Sequence, residues 1–354
     1  MNASAFDVLV VGLGPGGASA ALAAARAGLS VLAVDKRRAV GEPVQCAEFV
    51  PLTMGRYAKP ALVQRISGMR SVLPSGTCEH SDFPGLMVDR AAFDQALAAD
   101  ASKAGALLRV QTVLKAVLPD ERVAILRAPE GGVERAGYKV LIAADGPHSA
   151  VARSIGLAPL KTVETRQYQV PLCRPYADTD IWLSDEFPGG YGWLFPRGPV
   201  ANVGLGADRH LAADLKAPLE RLCAVLAQEG VVGAEILGRT GGSIPVGGLR
   251  ASLVHEDILF VGDAAGLTHP ITGAGIASAV VSGERAGLAA AAFLAGDAGA
   301  LDGYAEDMQD EFAESLARAV ARREWLMERW HTPEAHLDAT HKRGWIAFRE
   351  YFAP

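Results

Sequence analysis

The sequence predicts an α/β fold in which a dinucleotide-binding, Rossmann-like domain is interleaved with an antiparallel-sheet domain. Three observations predict it. An apolar run near the start of the chain ends in a glycine-rich turn, Val8 to Gly17 (VLVVGLGPGG). A second apolar run, far downstream, ends in Gly262-Asp263 and continues as a glycine-rich loop, Ile258 to Gly275. Between them, residues 160–206 alternate in polarity and are rich in aromatics and prolines, as half-buried antiparallel strands are.

The first turn reads residue by residue. Val8 to Val11 form a buried parallel strand. Gly12 permits the tight turn, Gly14 lets backbone approach a phosphate, and Gly17 lets the next helix pack on the strand. Ala18 to Ala27 is the helix, Gly28 ends it, and Val31 to Val34 is the second strand. Asp35 closes that strand about twenty residues after the turn, where an acid binds ribose hydroxyls. Because the chain returns at Gly262-Asp263 to the other half of the same ligand, the pair of motifs predicts FAD rather than NAD.

Further along, Leu86 to Ala104 reads as a helix, Leu107 to Val117 and Val123 to Arg127 as strands, and Lys139 to Ala144 as a strand ending in Asp145-Gly146. Pro218 to Glu229 reads as a helix. Ile258 to Val261 rejoins the parallel sheet, and Gly275 to Ala295 is a long alanine-rich helix. Ala305 to Arg329 is the last long helix, with Phe312, Leu316, Ala319 and Val320 on its apolar face, and Pro333 separates it from a final segment. The domains expected are a discontinuous FAD-binding unit (1–50, 86–158 and 245–300), a substrate-binding sheet unit (51–85 and 159–244) and a C-terminal helical segment (301–354).

Composition permits this reading. Half of the 354 residues are hydrophobic, enough for a large core. A net charge of −6 argues against nucleic acid as a partner. Cys46, Cys78, Cys173 and Cys223 form no Cys-x-x-Cys pair, so neither a zinc nor an iron–sulfur site is indicated. The first residues lack a basic, cleavable leader, and no stretch of about eighteen apolar residues is free of charge. The expected location is the cytoplasm, with reduced thiols. Trp325, Trp330 and Trp345, interleaved with Arg322, Arg323, Arg329, Lys342 and Arg343, suit either peripheral contact with a membrane surface or a helix packed on the first domain.

Four blocks together carry a family resemblance: GLGPGG, Asp89 to Asp94 (DRAAFD), Ala143 to Arg153 (AADGPHSAVAR) and Gly262 to Ile276 (GDAAGLTHPITGAGI). The chain resembles the FAD-dependent hydroxylase and reductase superfamily, whose first domain is of the glutathione reductase type 2 kind. A narrower match lies at Tyr191-Gly-Trp193-Leu-Phe195-Pro196, followed seven residues later by Gly204-Leu-Gly206. It is similar to the hallmark of the geranylgeranyl reductases, which saturate carbon–carbon double bonds of isoprenoid chains.

The resemblance implies roles by position. Gly12, Gly14, Gly16 and Gly17 match the phosphate loop, and Asp35 the ribose acid, with Lys36 beside it. Gln45 and Cys46 lie in a loop bordering the flavin. Arg90 matches an arginine that contacts FAD, and Val113 a strand position meeting adenine. Asp145, Gly262 and Asp263 match positions near the pyrophosphate or ribityl chain, and Gly273, Gly275 and Ile276 positions near the isoalloxazine ring. Cys46 is followed by Ala47 where the family usually has glycine. Cys46 is a candidate for positioning substrate or relaying a proton, or an inert apolar side chain. His269 is a second candidate proton carrier, or a histidine spent on loop hydrogen bonds.

Tyr191, Trp193 and Phe195 fall two residues apart, which sets their side chains on one face of a strand. With Pro196 they are the expected substrate wall. An isoprenoid offers area and no hydrogen bonds, and such a wall would hold it at roughly 25 cal/mol per Å² buried. The expected chemistry is hydride transfer from reduced flavin, with NADPH or a small redox partner protein as external reductant. The alternatives are a monooxygenase using NAD(P)H and oxygen, and a flavoprotein passing electrons to a quinone.

Overall fold

The first strand, Ser4–Val11, lies at the centre of an eight-stranded sheet, because its Val8, Leu9 and Val10 are apolar on both faces and are covered on both. The computed structural model describes residues 4–208, 210–211 and 214–353. Residues 1–3 and 354, the outer limits of the expected domains, lie outside these, as do 209, 212 and 213. On one side of the first strand runs Val31–Val34 and then Leu107–Arg109. On the other run Val133–Ala143 and Ile258–Phe260, all parallel. The order of strands therefore reverses at Ser4–Val11, and the crevice beyond its C-terminal end is a topological switch point.

The helix Pro15–Arg26 starts in that crevice and packs on the helix Ile276–Leu294. The contact is backbone to backbone. A Cβ on Gly17 would overlap the carbonyl of Gly12, one on Gly283 the carbonyl of Gly16, and one on Gly287 would press on Ala20. By length and composition Ile276–Leu294 is apolar enough to cross a membrane, a stretch the sequence reading did not pick out. Val280, Ser282, Ala286 and Ala290 on it are nonetheless buried in the protein.

A second sheet of eight strands holds Thr162–Pro171, Val200–Ala207, Gly192–Arg197 and Thr179–Trp182 in antiparallel order. Met69–Val72 joins it in parallel beside Thr179–Trp182. One face carries the helix Lys216–Gln228 through Leu219, Leu222 and Leu226. A three-stranded sheet, Phe49–Pro51, Gly85–Val88 and Leu62–Ile66, lies across the expected boundaries at 50/51 and 85/86.

Three local readings are corrected. Leu86 to Ala104 is not one helix: Gly85–Val88 is a buried strand, and the helix Arg90–Lys103 begins after it, capped by Asp89 Oδ1 accepting from Ala92 N at 2.9 Å. Leu107 to Val117 is two strands, Leu107–Arg109 in the parallel sheet and Val113–Leu118 in a hairpin with Val123–Arg127, separated where Gln111 takes φ +54°. The last long helix starts earlier, at Ala300, because Leu301 and Tyr304 are buried in the core and Tyr304 Oη donates to the carbonyl of Phe260 at 2.6 Å.

Replacing Gly17 by Val should force helix and strand apart and cost about 1–3 kcal/mol or more in unfolding free energy, read from the denaturant midpoint.

Candidate functional site

The glycines of the first motif differ in how tightly the backbone around them is packed. Gly12 has φ +103°, and a Cβ there would run into Ala144 and stand 3.0 Å from the amide of Asp145. Gly14 is the N-cap of Pro15–Arg26, and nothing lies within 4 Å of where its Cβ would be. A Cβ on Gly16 would crowd the Ala279 carbonyl at 3.1 Å. No side chain caps this helix, so its first amides are left without a side-chain acceptor at the positive end of the helix, a ready anion site.

Asp35 braces the turn. Its Oδ2 accepts from Leu13 N and its Oδ1 from Arg37 N, both at 2.8 Å, and its carbonyl accepts from Thr112 N at 2.8 Å. Val113 therefore starts its strand beside Asp35, while Lys36 is exposed. Asp145, at the end of Val133–Ala143, spends Oδ2 on the amides of Ala150 and Val151, whereas Oδ1 is buried without a partner. A buried acceptor with nothing to accept from is a polar atom prepared for a ligand. Burial pushes its carboxyl up.

The second glycine motif arrives at the same edge. Gly262 has φ +54° and follows Ile258–Phe260. Asp263 Oδ1 accepts from Thr268 Oγ1 at 2.5 Å. Burial pushes Asp263 up, and Thr268 and the Arg90 charge pull it back. Gly275, N-cap of Ile276–Leu294, has no room for a side chain, since a Cβ would sit 2.7 Å from Thr268 Oγ1. Gly273 has φ +69° in the same loop, and Ile276 opens the helix. Asp35, Asp145 and Asp263 thus line the C-terminal ends of neighbouring parallel strands, with Gly12, Gly14, Gly16 and Gly17 between them. The open helix end, the unpartnered Asp145 oxygen and the side-chain-free loop fit an extended dinucleotide.

Cys46 lies where this cleft meets the second sheet. Its Sγ accepts from Glu48 N at 3.2 Å. Burial pushes the thiol up, and the neighbouring Arg90 guanidinium partly opposes that. Arg90 is not a surface residue: it makes a two-pronged ion pair with Asp94, 2.9 Å in each arm, which keeps it charged. Gln45 is exposed and bonds outward, its Nε2 to the Gly241 carbonyl at 2.8 Å.

Tyr191, Trp193 and Phe195 do share one face, as their spacing predicts. Tyr191 Oη donates to the carbonyl of Thr272 at 2.5 Å, tying that face to the Gly273–Gly275 loop. Trp193 Nε1 donates to Gln167 Oε1 at 3.0 Å, and Gln167 Nε2 donates to the carbonyl of Cys46 at 3.1 Å. Pro196 is buried beyond them in the same strand. The face is covered by other aromatics. Trp193 is 6% exposed; Phe49 stands 5.8 Å from Phe195, and Trp345 and Phe348 of the C-terminal segment join the cluster. Neither environment read for the tryptophans fits Trp345 and Trp330: Trp345, 2% exposed, packs into the aromatic cluster of the second sheet rather than on the first domain, and Trp330 Nε1 donates to the carbonyl of Asp185.

His269 Nδ1 accepts from Thr272 N at 3.2 Å and Ile271 N at 3.4 Å, which sets its proton on Nε2, facing the Tyr351 hydroxyl at 3.5 Å. Burial lowers its pKa to about 4, so the ring is neutral and holds the loop.

Sequence reasoning missed the polar clamp between the two sheets. Glu48, 4% exposed and at φ +71°, accepts from Arg90 N at 3.0 Å and Asn202 Nδ2 at 2.9 Å, and pairs with Arg197 at 3.0 Å. Asn202 sits inside a strand whose pattern is otherwise apolar and Gln167 inside one of mixed polarity, and only the position of Glu48, two residues after Cys46, pointed to it.

Three comparisons bear on this site. The FAD dependent oxidoreductase family profile matches residues 7–126, and the lycopene cyclase protein profile residues 208–341. The digeranylgeranylglycerophospholipid reductase of Methanocella arvoryzae is 36% identical over 344 residues, covering 88% of this chain and 85% of that protein. That of Methanothrix thermoacetophila is 33% identical over 347 residues, covering 91% and 87%. Among solved structures, a geranylgeranyl bacteriochlorophyll reductase-like protein of Thermoplasma acidophilum superposes with a TM-score of 0.87 at 28% identity, over 97% of this chain and 92% of that one. A flavin-dependent brominase, at 18% identity and a TM-score of 0.74, shares the fold over 94% and 91%.

Two measurements check the electrostatics. A histidine with pKa near 6.5 unfolded and about 4 folded takes up its proton in the unfolded chain first. Its contribution is therefore complete above about pH 6.5 and is lost as pH falls towards 4, on the order of 3 kcal/mol. His269→Asn should flatten the unfolding free energy across that window. Iodoacetamide should label Cys46 far more slowly than exposed Cys78 and Cys173 at pH 8, with the gap narrowing as pH rises, read by mass spectrometry.

Proposed function

The chain belongs to the digeranylgeranylglycerophospholipid reductase family of FAD-dependent oxidoreductases, and from that premise we propose that it saturates carbon–carbon double bonds of an isoprenoid chain. The observation that carries the reading is Tyr191. Its hydroxyl is fixed to the Thr272 carbonyl in the loop after Asp263, and its ring lies tilted against Trp193 at 5.6 Å, so the apolar face and the cofactor loop meet at one residue.

FAD, when bound and reduced, supplies the hydride for one alkene carbon. The first amides of Pro15–Arg26, at Gly16 and Gly17, would hold its pyrophosphate, with Gly12 and Gly14 leaving room for it. Asp35 would take the adenosine ribose, with Val113 beside the adenine. Asp145, Gly262 and Asp263 would hold the middle of the molecule, and Gly273, Gly275 and Ile276 would bring backbone to its ring. Tyr191, Trp193, Phe195 and Pro196, with Phe49 and Trp345 packed over them, would form the apolar lining beside the prenyl chain and exclude water. Cys46 Sγ holds the proton for the other carbon: burial keeps it a thiol, and Arg90 stabilises the charge left behind when it gives the proton up. The electrons enter from an external donor, NADPH or a small electron-transfer protein.

Dithionite-reduced protein incubated without oxygen with a geranylgeranyl lipid should yield saturated chains by mass spectrometry. Cys46→Ser should keep its FAD and lose about 100-fold in kcat. Product formed only with oxygen and NAD(P)H would make the protein a monooxygenase, and electron passage to a quinone without saturation would make it an electron-transfer flavoprotein; either outcome overturns the proposal.

A further inference from the structure

Tyr191 lies between two tryptophans with opposite hydrogen-bonding fates. Trp193 Nε1 is satisfied by Gln167. Trp345, whose ring meets Tyr191 edge-on at 4.8 Å, is 2% exposed, and its Nε1 is shut off from water with no acceptor in the protein. Burying an N–H without an acceptor forfeits its hydration for nothing. The ring is not free to swing outward, because the segment carrying it is pinned on both sides. Asp338 accepts from Ser75 N at 3.0 Å and Ser75 Oγ at 2.7 Å, Lys342 pairs with Glu79, and the Tyr351 carbonyl accepts from Arg322 Nε at 2.9 Å. Trp345 belongs to an apolar cluster with Met69, Leu73 and Ile271, none of which carries a carboxylate, amide or hydroxyl acceptor. Phenylalanine would fill such a place without the cost of a buried donor.

Resting on the isoprenoid reading above, we propose that Trp345 is a specificity-determining residue of the substrate chamber, donating its Nε1–H to an oxygen carried by the prenyl lipid. A hydrocarbon polyene has no acceptor and leaves the donor buried and unpaired. A prenyl alcohol, ether or phosphate ester satisfies it. A site built around such a donor discriminates against the analogue lacking the acceptor.

The probes are geranylgeraniol and the C20 polyene hydrocarbon without its hydroxyl. With oxidised, FAD-loaded protein carrying ¹⁵N-indole tryptophan, the ring N–H resonance missing from Trp345→Phe should move downfield on adding geranylgeraniol and stay in place with the hydrocarbon. In turnover, Trp345→Phe should lose about tenfold in kcat/KM for geranylgeraniol, through KM, and lose nothing for the hydrocarbon. Equal loss on both compounds, or a resonance that moves with neither, overturns the proposal. A resonance that moves on loading FAD alone also overturns it, since the donor then answers the cofactor. If Trp345→Phe does not fold, Phe substitutions at Trp182, Trp325 and Trp330 identify the resonance by elimination. Wild-type protein that saturates neither compound sinks the isoprenoid reading, while the resonance in oxidised protein still decides the role of Trp345.

Discussion

Four places where two backbones touch without a side chain between them hold the site together. Gly17 presses the helix Pro15–Arg26 onto Gly12 at the end of the central strand, Gly12 presses that turn onto Ala144 at the end of the neighbouring strand, and Gly283 and Gly287 press a second helix onto the first. Ordinary helix pairs lie 8–10 Å apart, kept there by their side chains. Here the missing Cβ atoms let the helix Ile276–Leu294 come close, and with it the Gly273–Gly275 loop at its N-terminus. The cleft between the two glycine motifs is as narrow as it is because these contacts allow it. A side chain at any of them would act first on the cofactor groove, whatever it did to stability.

The second constraint is polar. The two sheets meet through Glu48, Arg197, Asn202 and Gln167, all buried or nearly so. A buried carboxylate is costly unless donors surround it. Glu48 has them from both sides of the junction, which explains how its left-handed backbone is tolerated and why the Cys46 loop has one position. Remove a single partner and the remaining groups are left unsatisfied, so the clamp acts as a unit.

How much of this could be read from the chain follows from the range of each interaction. The phosphate turn, Asp35, Asp263 and the aromatic face were legible, because each depends on neighbours within a few residues or on strand periodicity. The helix expected at Leu86 to Ala104 failed for a local reason: Leu86, Met87 and Val88 are apolar in either conformation, and only pairing with Phe49–Pro51 and Leu62–Ile66 makes them a strand. Glu48, Gln167 and Trp345 were illegible because their partners lie 42 to 154 residues away in the chain for Glu48, on another strand and in the distant Cys46 loop for Gln167, and on another segment for Trp345. For His269, the spacing of Thr268, His269 and Pro270 could not show that Nδ1 accepts from the amides of Ile271 and Thr272.

The order of strands in the central sheet also bears on how the chain is made. Val133–Ala143 has Ser4–Val11 on one side and, along its first half, Val123–Arg127 on the other at once, but the partner of its apolar end Leu141–Ala143, Ile258–Phe260, is translated more than a hundred residues later. At ribosomal pace that interval is roughly 5–25 s. Throughout it the nascent chain presents an apolar strand edge with unpaired amides and carbonyls, a template for association with other chains. Synthesis of this protein therefore passes through an aggregation-prone stage that ends only when the second glycine motif emerges, and holdase chaperones have their natural point of engagement there.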